Sequence, residues 1–278
     1  MCEFCMKHGA GRKWYLQARN YSADLVRNSR RFRDAMHWLL RGEAEGVGVA
    51  KRRLWLVDVP IVGWAVKRLV TMRMKPIHFG QVLTIDDVEK VFGLADEINL
   101  FPCVCRKHMV GKNDERYCFG LGSYPRELLD DQPDSGSEGE RLTVEEAMEL
   151  ARDFERRGLI HTIWTLDTPF IIGVCSCRPG ECLGLAYTLA GARMMFRGEH
   201  IFQVDTEKCT GCGACDERCF FGALTPAPKG SPRRIDPAVC HGCGLCASNC
   251  PVGAISLAGH NAPTPTETHA LCAANHEE

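Results

Sequence analysis

The chain has 278 residues, a formal net charge of −1 and 17 cysteines. Such a length can bury a core of one or two domains, and no apolar run approaches the roughly 20 residues of a membrane-spanning helix. The start, MCEFCMKHGAGRKW, lacks the apolar stretch of a secretory leader, so the expected compartment is the cytoplasm, where clustered thiols serve metals rather than disulfides.

Charge is divided unevenly: residues 1–80 carry 16 Lys/Arg against 6 Asp/Glu, and residues 81–278 carry 18 against 29. A basic block suits docking to an acidic protein, an anionic membrane or nucleic acid, and a solvated basic face is the plain alternative. No recognisable nucleic-acid-binding module surrounds these residues, so no nucleic acid is expected as a partner. Trp14, Ala18, Tyr21, Leu25, Phe32, Met36 and Leu39 recur along one stripe, which predicts a helix over 12–41 ended by Gly42. The run LWLVDVPIVGWAV, residues 54–66, holds Asp58 and Pro60; Lys51, Arg52 and Arg53 precede it, and Lys67, Arg68, Arg73 and Lys75 follow. Those flanks suit an interfacial segment. Residues 51–75 are therefore expected either to touch a membrane peripherally or to be buried on a partner or on the protein's own core.

An internal duplication is expected from residue 77. LTIDDVEKVF (83–92) and LTVEEAMELA (142–151) each place a Thr cap three residues before an acid, Thr84 with Asp87 and Thr143 with Glu146. The paired acids Asp86–Asp87 and Glu145–Glu146 fall in first helical turns, where capping and the helix dipole account for them. Each helix runs on through short predicted strands, INLFP in the first unit, LIHTIWTL and FIIGV in the second, into a Cys-x-Cys-Arg segment. The Thr-to-Cys distances are unequal, 19 and 32 residues. DDQPDSGSEGE (130–140), with five acids and no base, is a linker between the units.

The first Cys-x-Cys-Arg opens PCVCRKHMVGKNDERYC (102–118) with Cys103, Cys105 and Cys118; the second opens VCSCRPGEC (174–182) with Cys175, Cys177 and Cys182. Both thiols of a pair are expected to reach one centre through a backbone turn, supplied by Pro102 before the first pair and by Pro179 with Gly180 after the second. Each knot stops one thiol short of four. Cys2 and Cys5 would close the count at eight ligands. Zinc or spare thiols are the other readings of the knots. His108 and His161 are candidate fourth ligands, with a satisfied core histidine the preferred reading of His161. A further helix is expected over 182–196.

CTGCGACDERC (209–219) and CHGCGLCASNC (240–250) each spell C-x2-C-x2-C-x3-C, the ligand spacing of a cubane iron–sulfur cluster. Three thiolates of each run converge on one cluster and the fourth turns to the other. One set is then Cys209, Cys212, Cys215 and Cys250, and the second is Cys240, Cys243, Cys246 and Cys219. Gly211, Gly213, Gly242 and Gly244 let the backbone curl close to sulfur. Arg106 and Arg178, directly after the knot pairs, are candidates to hydrogen-bond cluster sulfur or offset its charge, against pairing with a surface carboxylate.

Residues 200–258 resemble the bacterial-type dicluster ferredoxin domain, with a repeat offset of 31. The resemblance implies two [4Fe-4S] clusters close enough to exchange electrons, carried on short strands and two short helices. The chain departs from that pattern at Phe220, where proline is usual, and at TPAPKGSPRR (225–234), which lengthens the link between repeats. CVCR, GLIH (158–161) and VCSCRPGEC also resemble a group of anaerobe iron–sulfur proteins in which such segments precede a dicluster domain. That likeness implies an electron-transfer protein serving a redox complex.

The expected fold is α+β: a basic N-terminal arm (1–80), a duplicated cysteine-rich α/β region of two helix-strand ligand units (81–199), a dicluster ferredoxin-like domain (200–258) and a disordered tail (259–278) with Cys272 as a spare thiol. The expected function is transfer of single electrons through two [4Fe-4S] clusters, with one or two more at the knots, to or from an oxidoreductase or flavoprotein. The alternative is a reductase subunit whose incompletely ligated iron binds substrate. GEAEGVG (42–48) lacks the Lys-Ser/Thr of a phosphate-binding loop, and no G-x-G-x-x-G links a strand to a helix, so no nucleotide site is expected.

Overall fold

The computed structural model describes residues 3–9, 13–21, 46–112, 115–122 and 139–258. Cys2, Cys272, residues 22–41 of the expected first helix, most of the acidic linker and the tail from 259 lie outside the described residues. In chain order the elements are α1 (Glu3–His8), α2 (Val62–Ile77), β1 (Gly80–Leu83), α3 (Ile85–Phe92), β2 (Ile98–Pro102), α4 (Val104–Val110) and β3 (Arg116–Leu121). There follow β4 (Glu140–Leu142), α5 (Val144–Arg156), β5 (Ile160–Thr165), β6 (Ile171–Cys177), α6 (Leu183–Leu189) and β7 (Met195–Phe196). The C-terminal part adds β8 (Phe202–Val204), α7 (Leu245–Ser248) and β9 (Ile255–Leu257).

The two Thr caps open the two helices that cover the sheet. Thr84 Oγ1 accepts from the Asp87 amide at 3.3 Å. Thr143 and Glu146 exchange bonds in a reciprocal capping box, at 3.2 Å and 2.8 Å. Val88, Val91 and Phe92 of α3, with Ala147, Met148, Ala151 and Phe154 of α5, repeat at helical spacing and bury one stripe of each helix.

Strands β1 to β7 form one seven-stranded sheet in the order β4-β2-β3-β6-β5-β1-β7. All pairings are antiparallel except β1 with β7. The runs β1-α3-β2-α4-β3 and β4-α5-β5-β6 each lend their first strand to the other's antiparallel pair, and the pairs meet at β3 and β6. The strand order repeats, with α4 present in the first run alone, and the Cys-x-Cys-Arg segments are not equivalent within it. The first follows β2, whereas the second ends β6, one strand later, which accounts for the unequal Thr-to-Cys distances.

Side chains alternate across a strand, and here the alternation divides two interiors. On one face Leu83, Ile98, Leu100, Phe119, Ile163 and Val174 pack with α3 and α5 in the main core. On the other, Ile160, Trp164, Cys175 and Cys177 pack with Leu185 of α6 and with Phe220, Phe221 and Leu245 of the C-terminal part. The C-terminal residues form the two-stranded sheet β8–β9.

Where it is described, the basic N-terminal region packs into the main core: Phe4, Trp14 and Tyr15 are buried there. The expected long helix does not start at residue 12. Residues 14–16 and 18–21 are two short 3-10 turns, because Trp14 and Tyr15, adjacent in sequence, are both fully buried. Trp14 Nε1 donates to Gln81 Oε1 at 2.5 Å, and Tyr15 Oη donates to Asp87 Oδ2 at 2.7 Å. The helix expected over 182–196 stops at Leu189; Gly191 turns the chain at φ +93° and β7 follows.

Asp87, read from the sequence as a helix-cap acid, is a buried junction. Its carboxylate takes Lys13 Nζ at 2.5 Å, Tyr15 Oη at 2.7 Å, His200 Nε2 at 3.0 Å and Lys90 Nζ at 3.3 Å. Burial alone would raise its pKa, but the bonds from His200, Lys13 and Tyr15 outweigh it and hold the carboxyl well below the usual range. Asp87→Ala is expected to cost about 3–5 kcal/mol at pH 7, since it strands a buried hydroxyl and an ammonium group. A carboxyl with a depressed folded pKa stabilises above the unfolded value of about 3.9 and loses that contribution as pH falls below it. The gap between wild type and variant in denaturant midpoint is therefore expected to narrow from pH 7 towards pH 2.

Candidate metal centres

Cys209, Cys212, Cys215 and Cys250 line one pocket, together with Gly213, Arg233 and Ile255. Cys250 reaches it from the far end of the second cysteine run, the crossing that the spacing predicts. The other four form their own group: burial pushes the Cys243 thiol up to about 12, and Cys240 and Cys219 beside it add to the shift. Cys246 is raised by burial and then by Cys243, Cys240 and Cys219. Crowded thiols in a dry site resist ionisation unless a cationic core offsets them, and that is the environment a cluster's iron supplies.

The backbone is shaped to match. Cys219 Sγ accepts from the Ala223 amide at 3.2 Å and Cys250 Sγ from the Ala254 amide at 3.3 Å, the same bond in each repeat. Gly242 sits at φ +70°, and a Cβ there would stand 2.1 Å from the His200 carbonyl oxygen. At Gly211, φ +66°, a Cβ would meet the Gly230 carbonyl carbon at 2.4 Å. Both loops thus close on neighbouring backbone in a conformation that only glycine takes readily.

Two arginines that no spacing motif marks hold these loops. Arg197 donates to the Cys240 and Ala238 carbonyls at 2.8 Å each, and to that of Pro237. Arg233, buried in the lengthened link, pairs with Asp216 at 2.9 Å and 2.8 Å and donates to the Pro228 and Ser231 carbonyls. The link therefore folds down beside the Cys209 pocket. The sequence carries no signal for either arginine, because burial of a charged side chain is visible only in three dimensions. Phe220, in place of proline, joins the apolar layer beneath the sheet, while Phe221 stacks on His241 at 3.7 Å.

The six knot thiols come together on the cysteine-bearing face of the sheet, and the two knots interleave there. Cys118 and Cys175 are partners across β3 and β6 with sulfurs 3.4 Å apart, and the Cys103 thiol shares a hydrogen bond with Cys118. The Cys182 thiol shares hydrogen bonds with Cys105 and Cys177. Each trio draws on both knots. The turn expected at the second pair is not what unites it: Cys175 and Cys177 lie two apart in β6, and such residues share a face. At the first pair a turn does operate, from β2 into α4, with Cys103 as the residue before the helix. Among the described residues no group of three or more His, Cys, Asp and Glu side chains is gathered as a single metal ion would need.

Arg106 and Arg178 both pair with Glu181. Arg106 Nε lies 2.7 Å from Glu181 Oε2, and Arg178 Nη2 lies 2.6 Å from Oε1. Burial would raise Glu181, but the bonds from Arg178 and Arg106 hold it down to about 2. The Arg106 guanidinium also covers the Tyr117 ring at 3.6 Å and is almost fully buried, with Cys103 and Cys177 near enough to feel its charge. His161 points to the opposite face from the thiols, where Nδ1 meets Ser176 Oγ at 3.1 Å and burial lowers it to about 4. His108 Nε2 is buried with no hydrogen-bond partner. Cys5 is not among the knot thiols: it lies in the main core and donates to Glu199 Oε1 at 3.1 Å.

The family model of a 4Fe-4S dicluster domain matches residues 201–261. No curated protein matches the chain. The C-terminal part is thus a ferredoxin-type, [4Fe-4S]-binding domain, and it supports an iron–sulfur electron-transfer role. The described residues form a mixed α/β structure in which no helix is long and apolar enough to cross a membrane.

The glycine geometry separates two effects. At Gly222, φ +71°, an added Cβ would meet nothing within 4 Å, so Gly222→Ala is expected to cost only the left-handed strain of about 1–2 kcal/mol. Gly242→Ala adds a clash with fixed backbone and is expected to cost several-fold more. The comparison is the temperature at which visible absorbance is lost on anaerobic heating.

Proposed function

We propose that the chain is a non-catalytic electron carrier between an oxidoreductase or flavoprotein donor and an acceptor, with three iron–sulfur sites in a row. The first is Cys209, Cys212, Cys215 and Cys250, the second Cys219, Cys240, Cys243 and Cys246, and the third lies among Cys103, Cys105, Cys118, Cys175, Cys177 and Cys182. Bound [4Fe-4S] clusters would supply one-electron oxidation and reduction. The protein's own residues hold them, exclude water and set the local charge.

The observation that carries this reading is one apolar layer shared by two of the sites. Cys243 of the second set packs in the same cluster as Cys105, Cys175, Cys177 and Cys182, with Phe220, Phe221 and Leu245 beside them. Packed side chains rather than solvent join the two sites there, which suits short-range exchange. Cys212, at the outer end, is exposed, which suits a site where a partner would dock.

Two trios of thiols, each drawing on both knots and close enough for Cys175 to feel Cys177 and Cys105, favour a single further cluster, with four of the six as ligands. Cys5 bonds to Glu199 instead, so the eight-ligand arithmetic for two further clusters loses its support. A surplus of thiols also weakens the open-iron reductase reading, whose signature is three thiolates without a fourth. Arg106 and Arg178, fixed by Glu181, place positive charge beside this site and would favour its reduced state.

Anaerobically purified protein is expected to hold about 12 Fe per chain, from three four-iron clusters. About 8 would return the knots to spare thiols, and about 16 would demand two clusters there. Replacing Cys118 and Cys175 together by Ser is expected to remove about 4 Fe while the paramagnetic signal of the dicluster domain persists.

A further inference from the structure

The segment from Leu54 to Ile77 carries a surface that the electron-carrier reading does not use. Residues 54–58 form a 3-10 turn and α2 follows, and the helix has two opposed faces. Val66, Val70 and Met74, at steps of four, pack inward against Leu183, Tyr187 and Met194. Trp64, Arg68 and Met72, at steps of four, form the outward stripe, and Ile61 stands exposed at the turn just before the helix. Ile61 is 89% exposed, Trp64 63% and Met72 62%, and Trp55 and Leu69 flank them at 63% and 58%.

The loop is built to keep that stripe outside. A Cβ at Gly63 would lie 2.3 Å from the Val57 carbonyl oxygen, so the chain there is pressed backbone to backbone. Ile61, at the turn, takes φ +67° with ψ −56°, a positive-φ conformation costly to a β-branched residue. That strain holds an isoleucine side chain in solvent, where it gains no packing from its own protein. Strain of this kind marks a surface with a use.

Charge identifies the occupant. Residues 51–77 carry Lys51, Arg52, Arg53, Lys67, Arg68, Arg73 and Lys75 against a single carboxylate, Asp58. The Arg68 guanidinium lies 5.8 Å from the Trp64 ring, over its face. Tryptophan, long aliphatic side chains and arginine on one convex stripe match the boundary between acyl chains and anionic headgroups. A deformable lipid surface accepts a protruding ridge, whereas a protein partner needs a groove cut to fit it.

We propose that Trp55, Ile61, Trp64 and Met72, with Arg68 and Arg73, dock this protein peripherally on an anionic lipid bilayer. The inference stands on the surface alone and does not depend on how many clusters the chain holds. The test uses the full-length holo protein and two kinds of vesicle, phosphatidylcholine alone and an equal mixture of phosphatidylcholine and phosphatidylglycerol. Sedimentation with the anionic vesicles is expected at least about tenfold more strongly than with the neutral ones, weakening as salt rises. Ile61→Glu with Trp64→Glu is expected to reduce anionic binding at least about tenfold, and Arg68→Gln with Arg73→Gln to flatten its salt dependence. Unchanged visible absorbance in each variant shows that the fold and clusters are intact. Wild-type protein that fails to sediment with anionic vesicles at low salt overturns the proposal and leaves a protein as the occupant of the stripe. Equal binding by the Ile61→Glu, Trp64→Glu variant overturns it as well.

Discussion

Fourteen cysteines crowd into two adjoining regions of this protein, and thiols so placed must either remain neutral or meet a compensating positive charge. Burial raises Cys243 and Cys246, and neighbouring thiols raise them further. Cys118 and Cys182 are each lowered by a hydrogen bond with one neighbouring thiol, Cys103 or Cys105, but raised overall by the bond with a second, Cys175 or Cys177, and by burial. A dry interior filled this way is costly by itself and favourable around iron. The rest of the architecture follows from that requirement: left-handed glycines bring backbone amides to sulfur, arginines lock the loops, and an apolar layer keeps water from the space between.

The seven-stranded sheet separates the two demands on the fold. One face carries the ordinary hydrophobic core under α3 and α5. The other face carries Cys118, Cys175 and Cys177 in strands, so that β-sheet hydrogen bonds, rather than a loop, hold the spacing of the sulfurs. Sites on regular elements are held more closely than sites on loops. The exchange of first strands between the two half-units ties the knots to each other, since neither half could form its side of the sheet alone.

Asp87 joins the remaining parts. It receives Lys13 and Tyr15 from the N-terminal region and His200 from the lead-in to the ferredoxin-type domain. The His200 carbonyl presses on Gly242, and Arg197 three residues earlier grips the loop that carries Cys240. One buried carboxylate thus connects the chain's start to the loop of the second thiol set through a short run of contacts. Its place in a first helical turn concealed it, because an acid there is already explained by the helix dipole.

What the sequence determined by itself is what lies within a few residues: the eight-cysteine spacing and its crossing, the glycines between the thiols, the Thr caps of α3 and α5, and the alternating strands β2, β5 and β6. At two- or three-residue separations the backbone has few ways to place a side chain, so spacing carries geometry. Which knot thiols meet was decided only by tertiary structure, because Cys118 reaches Cys175 through strand register, 57 residues away. The same holds for Arg197, Arg233 and Asp87, whose roles come from burial against distant segments. Cys5 also belongs here: counting thiols assigned it to the knots, but the packing of Phe4 and Trp14 against Phe79 carries it into the main core. Local chemistry names candidate ligands, and the three-dimensional register selects among them.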